Sequence, residues 1–253
     1  MAYRLEQRGS GLVFTIDRPE KRNAVNDEVM DGLSAAISEA EENDSLRFFA
    51  VTGAGDSAFC SGGDLSEFHR LKTADEAAPM LGKMAAILLR MSRLPVPVIA
   101  LINGHAVGGG CEIATACDYR LVREEAKCGY IQGTLAITTG WGGASHLFVK
   151  TGGHAPALRM LTEAKVHTAG ELLSSGWATE TFAGDPAEAL DRFTDSLSRI
   201  DPGVIRAYKQ AAVRKSDALG LAEMIREEVE ECARLWEADA HHEAVDRFLN
   251  KKY

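Results

Sequence analysis

Two glycine-rich segments constrain this chain more than any other feature. Ser61-Gly62-Gly63-Asp64 and Gly108-Gly109-Gly110-Cys111-Glu112 each follow a buried-strand pattern and open a helical one. Such a turn leaves the first amides of the helix without intrahelical partners, and those N–H groups carry partial positive charge. Glycine lets a ligand oxygen approach them with no Cβ in the way. Either loop alone is an ordinary packing device; two that meet would form a donor pair for a developing oxyanion.

The rest of the pattern predicts an α/β fold. Tyr3–Glu6 and Leu12–Ile16 read as strands around Gly9-Ser10-Gly11, and Asp27–Glu42 as a helix capped by Asn26. Leu46–Thr52, Pro97–Ile102 and Asp118–Val122 read as further strands, with Gly53–Gly63 a loop and Asp75–Met91 a helix. Asp64 with Glu67, Thr168 with Glu171, and Asp185-Pro186 with Glu188 are spaced as capping boxes. After Gly140 the pattern is mainly helical. From Asp201 it becomes three helices, with Leu221, Ile225, Val229, Cys232 and Trp236 in register on the second and the solvated pair His241-His242 on the third. The expected organisation is an α/β core over residues 1–200 and a helical C-terminal oligomerisation region over 201–253.

Composition narrows the function. The five cysteines are odd in number and lack a CxxC pair, which argues against a disulfide framework and a zinc site and for a reducing, cytoplasmic compartment. MAYRLEQRG has no apolar signal region, and Leu94–Ile102 holds two prolines and is too short to span a bilayer. A soluble protein with no membrane partner is expected. A net charge of −9 without a dense basic run speaks against nucleic acid, while a local patch could still attract a small anion.

Motif tests remove other chemistries. Gly53-Ala54-Gly55 with Ala58 has the spacing of a dinucleotide-binding turn, but Phe59-Cys60-Ser61-Gly62-Gly63 continues as loop where that motif needs a helix. There is no GxSxG elbow, HExxH pair or GxxxxGK[ST] loop. His69, His105 and His146 are scattered, and each alone reads as structural. Glu112 stands out in the apolar run Cys111-Glu112-Ile113-Ala114-Thr115-Ala116: a carboxylate there is either paired, for instance with a tail arginine, or working.

At this point the residues resemble the crotonase, or enoyl-CoA hydratase/isomerase, superfamily. Arg18-Pro19-Glu20-Lys21-Arg22-Asn23-Ala24-Val25 is similar to its early acyl-CoA loop, Phe59–Leu65 to its first oxyanion loop, and Pro97–Ala100, Asn103-Gly104 and Gly108–Glu112 to its strand–turn–helix signature. The likeness implies a spiral of ββα units with a helical trimerisation tail, assembled as a homotrimer or a dimer of trimers. It implies an acyl-CoA thioester substrate, coenzyme A being part of that substrate, with no separate cofactor and no metal. By position it makes Gly63 and Gly109 the donors to the thioester oxygen and Glu112 the first of two catalytic glutamates. Arg22, Ala24, Asp64 and Leu65 join those glycines in touching acyl-CoA, and Phe248 and Lys251 resemble a pair that reaches a neighbouring subunit's CoA.

One departure bears on the reaction. In register from Glu112, the second glutamate of a hydratase falls at Gln132, and an amide does not exchange a proton as a carboxyl does. Gln132 could orient a water while Glu112 handles both protons. Ala116–Leu121 and Trp141-Gly142-Gly143 resemble segments of the ethylmalonyl-CoA decarboxylase type, whose chemistry needs one proton donor after the enolate forms. Isomerisation with Glu112 alone is the third outcome, and a non-catalytic acyl-CoA-binding protein is the alternative of another class.

Overall fold

The computed structural model describes residues 1–151 and 153–250. The chain opens with an antiparallel pair, β1 (Tyr3–Arg8) and β2 (Gly11–Ile16), followed by α1 (Asp27–Glu42). Three ββα turns come next. The first is β3 (Phe48–Gly53) and β4 (Ala58–Cys60) with α2 (Leu65–Phe68) and α3 (Ala74–Ser92). The second is β5 (Val98–Ile102) and β6 (His105–Val107) with α4 (Gly109–Ala116). The third is β7 (Tyr119–Arg123) and β8 (Lys127–Gly129), which lead through a 3-10 turn at Gln132–Leu135 to α5 (Gly143–Lys150) and α6 (His154–Glu163). Then follow β9 (His167–Thr168), α7 (Ala169–Ser174), β10 (Glu180–Phe182), α8 (Pro186–Ser198), α9 (Pro202–Ala218), α10 (Leu221–Trp236) and α11 (Asp239–Leu249).

In each turn the first strand joins a six-stranded sheet, ordered β1-β2-β3-β5-β7-β10, and the second steps into a four-stranded one, ordered β4-β6-β8-β9. From β2 onward the large sheet is parallel, and β3 and β5 are apolar and covered on both faces, as central parallel strands must be. Asn103 fixes the step between sheets. Its Oδ1 accepts from Gly53 N (3.1 Å) and its Nδ2 donates to Gly55 O (2.7 Å), which ties the end of β5 to the end of β3.

The first helix forms as its sequence predicts. Asn26 Oδ1 accepts from Val29 N (3.1 Å), and Val29, Leu33, Ala36, Ile37 and Ala40 are buried against the sheet. Each large aliphatic side chain buried in this way contributes about 1.5–3 kcal/mol. The small sheet is the main departure from expectation. Gly53–Gly63 contains β4, and β9 and β10 interrupt the helical second half. Strands of two or three residues are too short to carry a period. The reciprocal capping box forms at Thr168/Glu171, but Asp64 caps α2 through Ser66 N alone because Glu67 turns to Asn26 and Arg18. Asp185 likewise caps α8 without a return bond, and Glu188 reaches toward Arg192.

The C-terminal helices close the same core. Leu221 and Ile225 pack with Ala85 and Val149, while Cys232, Ala233 and Trp236 enter the main cluster with α3 and α4. Lys209 of α9 is buried, donating to Ser92 O (3.0 Å) and pairing with Asp118, whose Oδ2 also accepts from Val98 N (2.8 Å). His241, expected in solvent, is 2% exposed: its Nδ1–H donates to Leu135 O (2.7 Å) and its ring lies 4.7 Å from that of Trp236. Packing of α11 on the 3-10 turn outweighs the polar look of that helix. The five cysteines are free and buried. Among the described residues, no helix is long and apolar enough to cross a membrane.

Candidate active site

The first glycine loop leaves β4 and runs beside Val25. Val25 N donates to Gly62 O (2.8 Å) and Asp64 N donates to Val25 O (2.8 Å). Adjacent residues of an extended segment face opposite ways, so the N–H of Gly63 points away from that bridge. The second loop carries Gly108, at φ +56°, into α4, and Gly109 is the first residue of the helix. Among the described residues, neither Gly63 N nor Gly109 N donates a hydrogen bond. The loops abut: Gly62, at φ +95°, lies so close that a Cβ there would sit 3.0 Å from Gly109 N. The indole of Trp141 lies against both Gly63 and Gly109.

Glu112 lies on the first turn of α4 and is 3% exposed. Its Oε2 accepts from Trp141 N (2.8 Å) and Gly143 N (2.9 Å), and its Oε1 from Gln132 Nε2 (2.9 Å) and, weakly, Gly140 N (3.5 Å). No basic side chain pairs with it among the described residues, so the alternative of an ion pair to a tail arginine does not hold. Burial, with the negative charge of Glu228 second, raises its pKa to about 8 despite the donors from Trp141, Gly143 and Gln132. Gln132, in the 3-10 turn, is 9% exposed, and its Oε1 has no partner among the described residues.

These groups share one cavity of about 480 Å³. Of the residues expected from sequence, Arg22, Ala24, Gly63, Asp64, Leu65, Gly109, Glu112, Gln132 and Phe248 all line it. Its lining includes apolar Phe68, Met80, Ile137, Trp141 and Trp236, together with the exposed cations Lys21 and Arg22. Phe248, expected to serve a neighbouring copy, lines the cavity of its own chain and is 42% exposed, because α11 folds back over the 3-10 turn. Lys251 lies outside the described residues. None of the seven histidines lines the cavity. His146 is fully buried on α5, where burial first, then Lys150 and Lys209, push its pKa well down. Among the described residues, no group of three or more His, Cys, Asp or Glu could hold a metal.

Sequence reasoning missed several supports. Arg18 donates to Asp64 Oδ2 (2.8 Å) and to Ala24 O (2.8 Å), pinning the early loop to the first glycine loop. Burial alone would raise the Asp64 pKa, but Ser66 and Arg18 overrule it and hold the carboxyl below its usual range. Asp64 is thus engaged within the protein as well as lining the cavity. Asn23, fully buried at φ +55°, donates to Ala54 O (3.0 Å) and Ala58 O (2.6 Å) and accepts from Arg18 N (3.1 Å). A buried asparagine between two basic residues and an alanine is the one local hint of that role. The backbone of Trp141 and Gly143, which grips Glu112, has no signal in side-chain identity.

Comparison with known proteins gives the family and the fold. The family model described as enoyl-CoA hydratase/isomerase matches residues 6–253. An ethylmalonyl-CoA decarboxylase of Rattus norvegicus is 33% identical over 246 residues, 95% of this chain and 81% of that protein. A short-chain-enoyl-CoA hydratase of Clostridium acetobutylicum is 29% identical over 252 residues, 98% of this chain and 94% of the other. Among solved structures, an enoyl-CoA hydratase from Bacillus halodurans superimposes with a TM-score of 0.88 at 23% identity, over 98% of this chain and 100% of that one, which speaks for the fold.

Proposed function

The chain belongs to the enoyl-CoA hydratase/isomerase family, and on that premise we propose that it processes acyl-CoA thioesters through an enolate held by Gly63 N–H and Gly109 N–H, with Glu112 as the acid/base group. Its spiral of ββα units is the crotonase fold. Two unpartnered amides on abutting loops suit an oxyanion, and in a site shielded from water each such donor is worth about 10²–10³ in rate. The exposed cations Lys21 and Arg22 suit the anionic part of CoA, and the apolar lining residues suit an acyl group.

The state of Glu112 carries the choice of reaction. With its pKa near 8 it holds a proton at neutral pH, and Gln132 supplies no second carboxyl. One proton donor and no base suits decarboxylation of an alkylmalonyl thioester. The bond from the α-carbon to the carboxylate breaks, its electron pair passes to the thioester oxygen, and carbon dioxide leaves. The enolate then collapses as the α-carbon takes the Glu112 proton. A neutral Glu112 also spares the substrate carboxylate the repulsion of a like charge.

The orphan Oε1 of Gln132 favours a second reading, hydration of an enoyl thioester. A buried acceptor without a donor is a place for a water. Gln132 would orient that water while an ionised Glu112 takes its proton; the water oxygen bonds to the β-carbon, the double-bond electrons pass into the thioester enolate, and the α-carbon then takes the proton back from Glu112. The assembly as a homotrimer or dimer of trimers belongs to the same proposal, and the exposed Val204 and Tyr208 on α9 offer an apolar surface for it; light scattering after gel filtration measures the mass. The deciding experiment is mass spectrometry after incubation with crotonyl-CoA and ethylmalonyl-CoA together. Loss of carbon dioxide from ethylmalonyl-CoA, with crotonyl-CoA untouched, supports decarboxylation. Addition of water to crotonyl-CoA supports hydration, and inertness toward both refutes the two readings together.

A further inference from the structure

Two carboxylates from different helices divide the amides at the start of α5. Trp141 N and Gly143 N donate to Glu112. The next two, Ala144 N (3.3 Å) and Ser145 N (2.8 Å), donate to Glu228 of α10, which also accepts from Ser145 Oγ (2.6 Å). Glu228 is half-buried and stands outside the residues that line the cavity. A helix amino terminus stabilises one neighbouring anion, and a second carboxylate in the same place takes up part of that positive field.

We propose that Glu228 is a positioning residue for the reaction: it holds the start of α5 beside the amides that grip Glu112, and it sets a second negative charge on the helix terminus that Glu112 shares. The proposal rests on the reading of Glu112 as the acid/base group. The other ionisable groups around Glu112 leave Glu228 as the source of charge. Cys232 on α10, Tyr130 before the 3-10 turn and Cys111 on α4 are all pushed up by burial first, which keeps them neutral. On α5, Lys150 is pushed down by burial first, with Asp118 opposing and Lys209 adding next, and His146 by burial first, then Lys150 and Lys209. Burial raises the Glu112 pKa most, and Glu228 is the next contribution in the same direction.

The test follows the protonated-carboxyl infrared band of Glu112 against pH in the full chain, the band being identified by its loss in Glu112→Gln. In Glu228→Gln, which keeps an oxygen for the α5 amides and loses the charge, the midpoint should fall by about one pH unit, tenfold in the equilibrium. In Glu228→Asp, which keeps the charge, it should stay near the native value. A midpoint unmoved in Glu228→Gln, or moved equally in both variants, overturns the proposal. Should Glu228→Gln fail to fold by circular dichroism, Glu228→Met gives the same reading without a charge. The band needs no turnover, so the two readings fail separately: full activity in Glu112→Gln removes the role of Glu112 and leaves the band shift standing.

Discussion

Gln132 donates through Nε2 to Glu112 Oε1 at 2.9 Å, so the group that faces Glu112 in the cavity is an amide and not a second carboxyl. The amide orients Glu112 and leaves it the only ionisable carboxyl of the pair. On the proposed reading the choice of reaction turns on that one functional group, because the glycine loops and the apolar lining would serve any acyl-CoA enolate equally.

Replacing the amide should therefore change the chemistry. In Gln132→Glu two carboxyls lie within hydrogen-bonding distance in a buried site, where both cannot ionise and one proton is shared. One can then act as base and the other as acid, which divides the two proton transfers of hydration between them. Water addition to crotonyl-CoA, followed by loss of its enoyl absorbance, should rise by about 10²-fold, the lower range of acid–base catalysis. A folded variant with unchanged hydration would show that Gln132 does not decide the reaction.

Glu112→Gln separates catalysis from binding. It removes the proton and keeps one oxygen for the Trp141 and Gly143 amides. Turnover of the substrate found by mass spectrometry should fall by about 10²–10⁴. Calorimetric affinity for an unreactive acyl-CoA should change only a few-fold, because the glycine loops are untouched. Retained turnover would take Glu112 out of the chemistry.

The glycine loops and Glu112 were legible in sequence because each breaks a local rule: glycine runs beside apolar strands, and a carboxylate in an apolar helix. Their supports were not. Arg18 meets Asp64 across 46 positions and Glu228 meets Ser145 across 83, and only the tertiary fold, the ββα winding for the first pair and the packing of α10 on α5 for the second, brings those partners together. The unlocated strands β4, β6 and β8 pair through backbone groups, which any residue supplies. His241 was misread for a related reason, since its burial is decided by Trp236 and Leu135, both remote in sequence or on another element.

The raised Glu112 pKa fixes a pH dependence. The unfolded carboxyl titrates near 4.5 and the folded one near 8. Between those values the folded state holds the extra proton, so stability from this group is full below 4.5 and is lost as pH rises through 8. Glu112→Gln lacks that slope, and its melting temperature should gain on the native protein from pH 5 toward about pH 8. If Glu112 is the donor, native turnover falls as pH rises through about 8. Parallel melting profiles would contradict the shift.

Gly143 tests whether the grip on Glu112 is steric as well as polar. A Cβ there would lie 2.4 Å from Glu112 Cγ and 2.8 Å from its Oε2, and the side chain is too deeply buried to step aside. In Gly143→Ala the carboxyl must leave the Trp141 and Gly143 amides, with overpacking costing about 1–3 kcal/mol. Turnover should drop as far as in Glu112→Gln, and the melting temperature should fall by several degrees. Gly170→Ala is the control: its Cβ meets nothing within 4 Å in α7, and relief of glycine's backbone entropy should stabilise it by up to about 1 kcal/mol with activity unchanged. Full activity in Gly143→Ala would mean that Glu112 works from some other position, and the pairing of its carboxyl with the α5 amides would then have no part in the reaction.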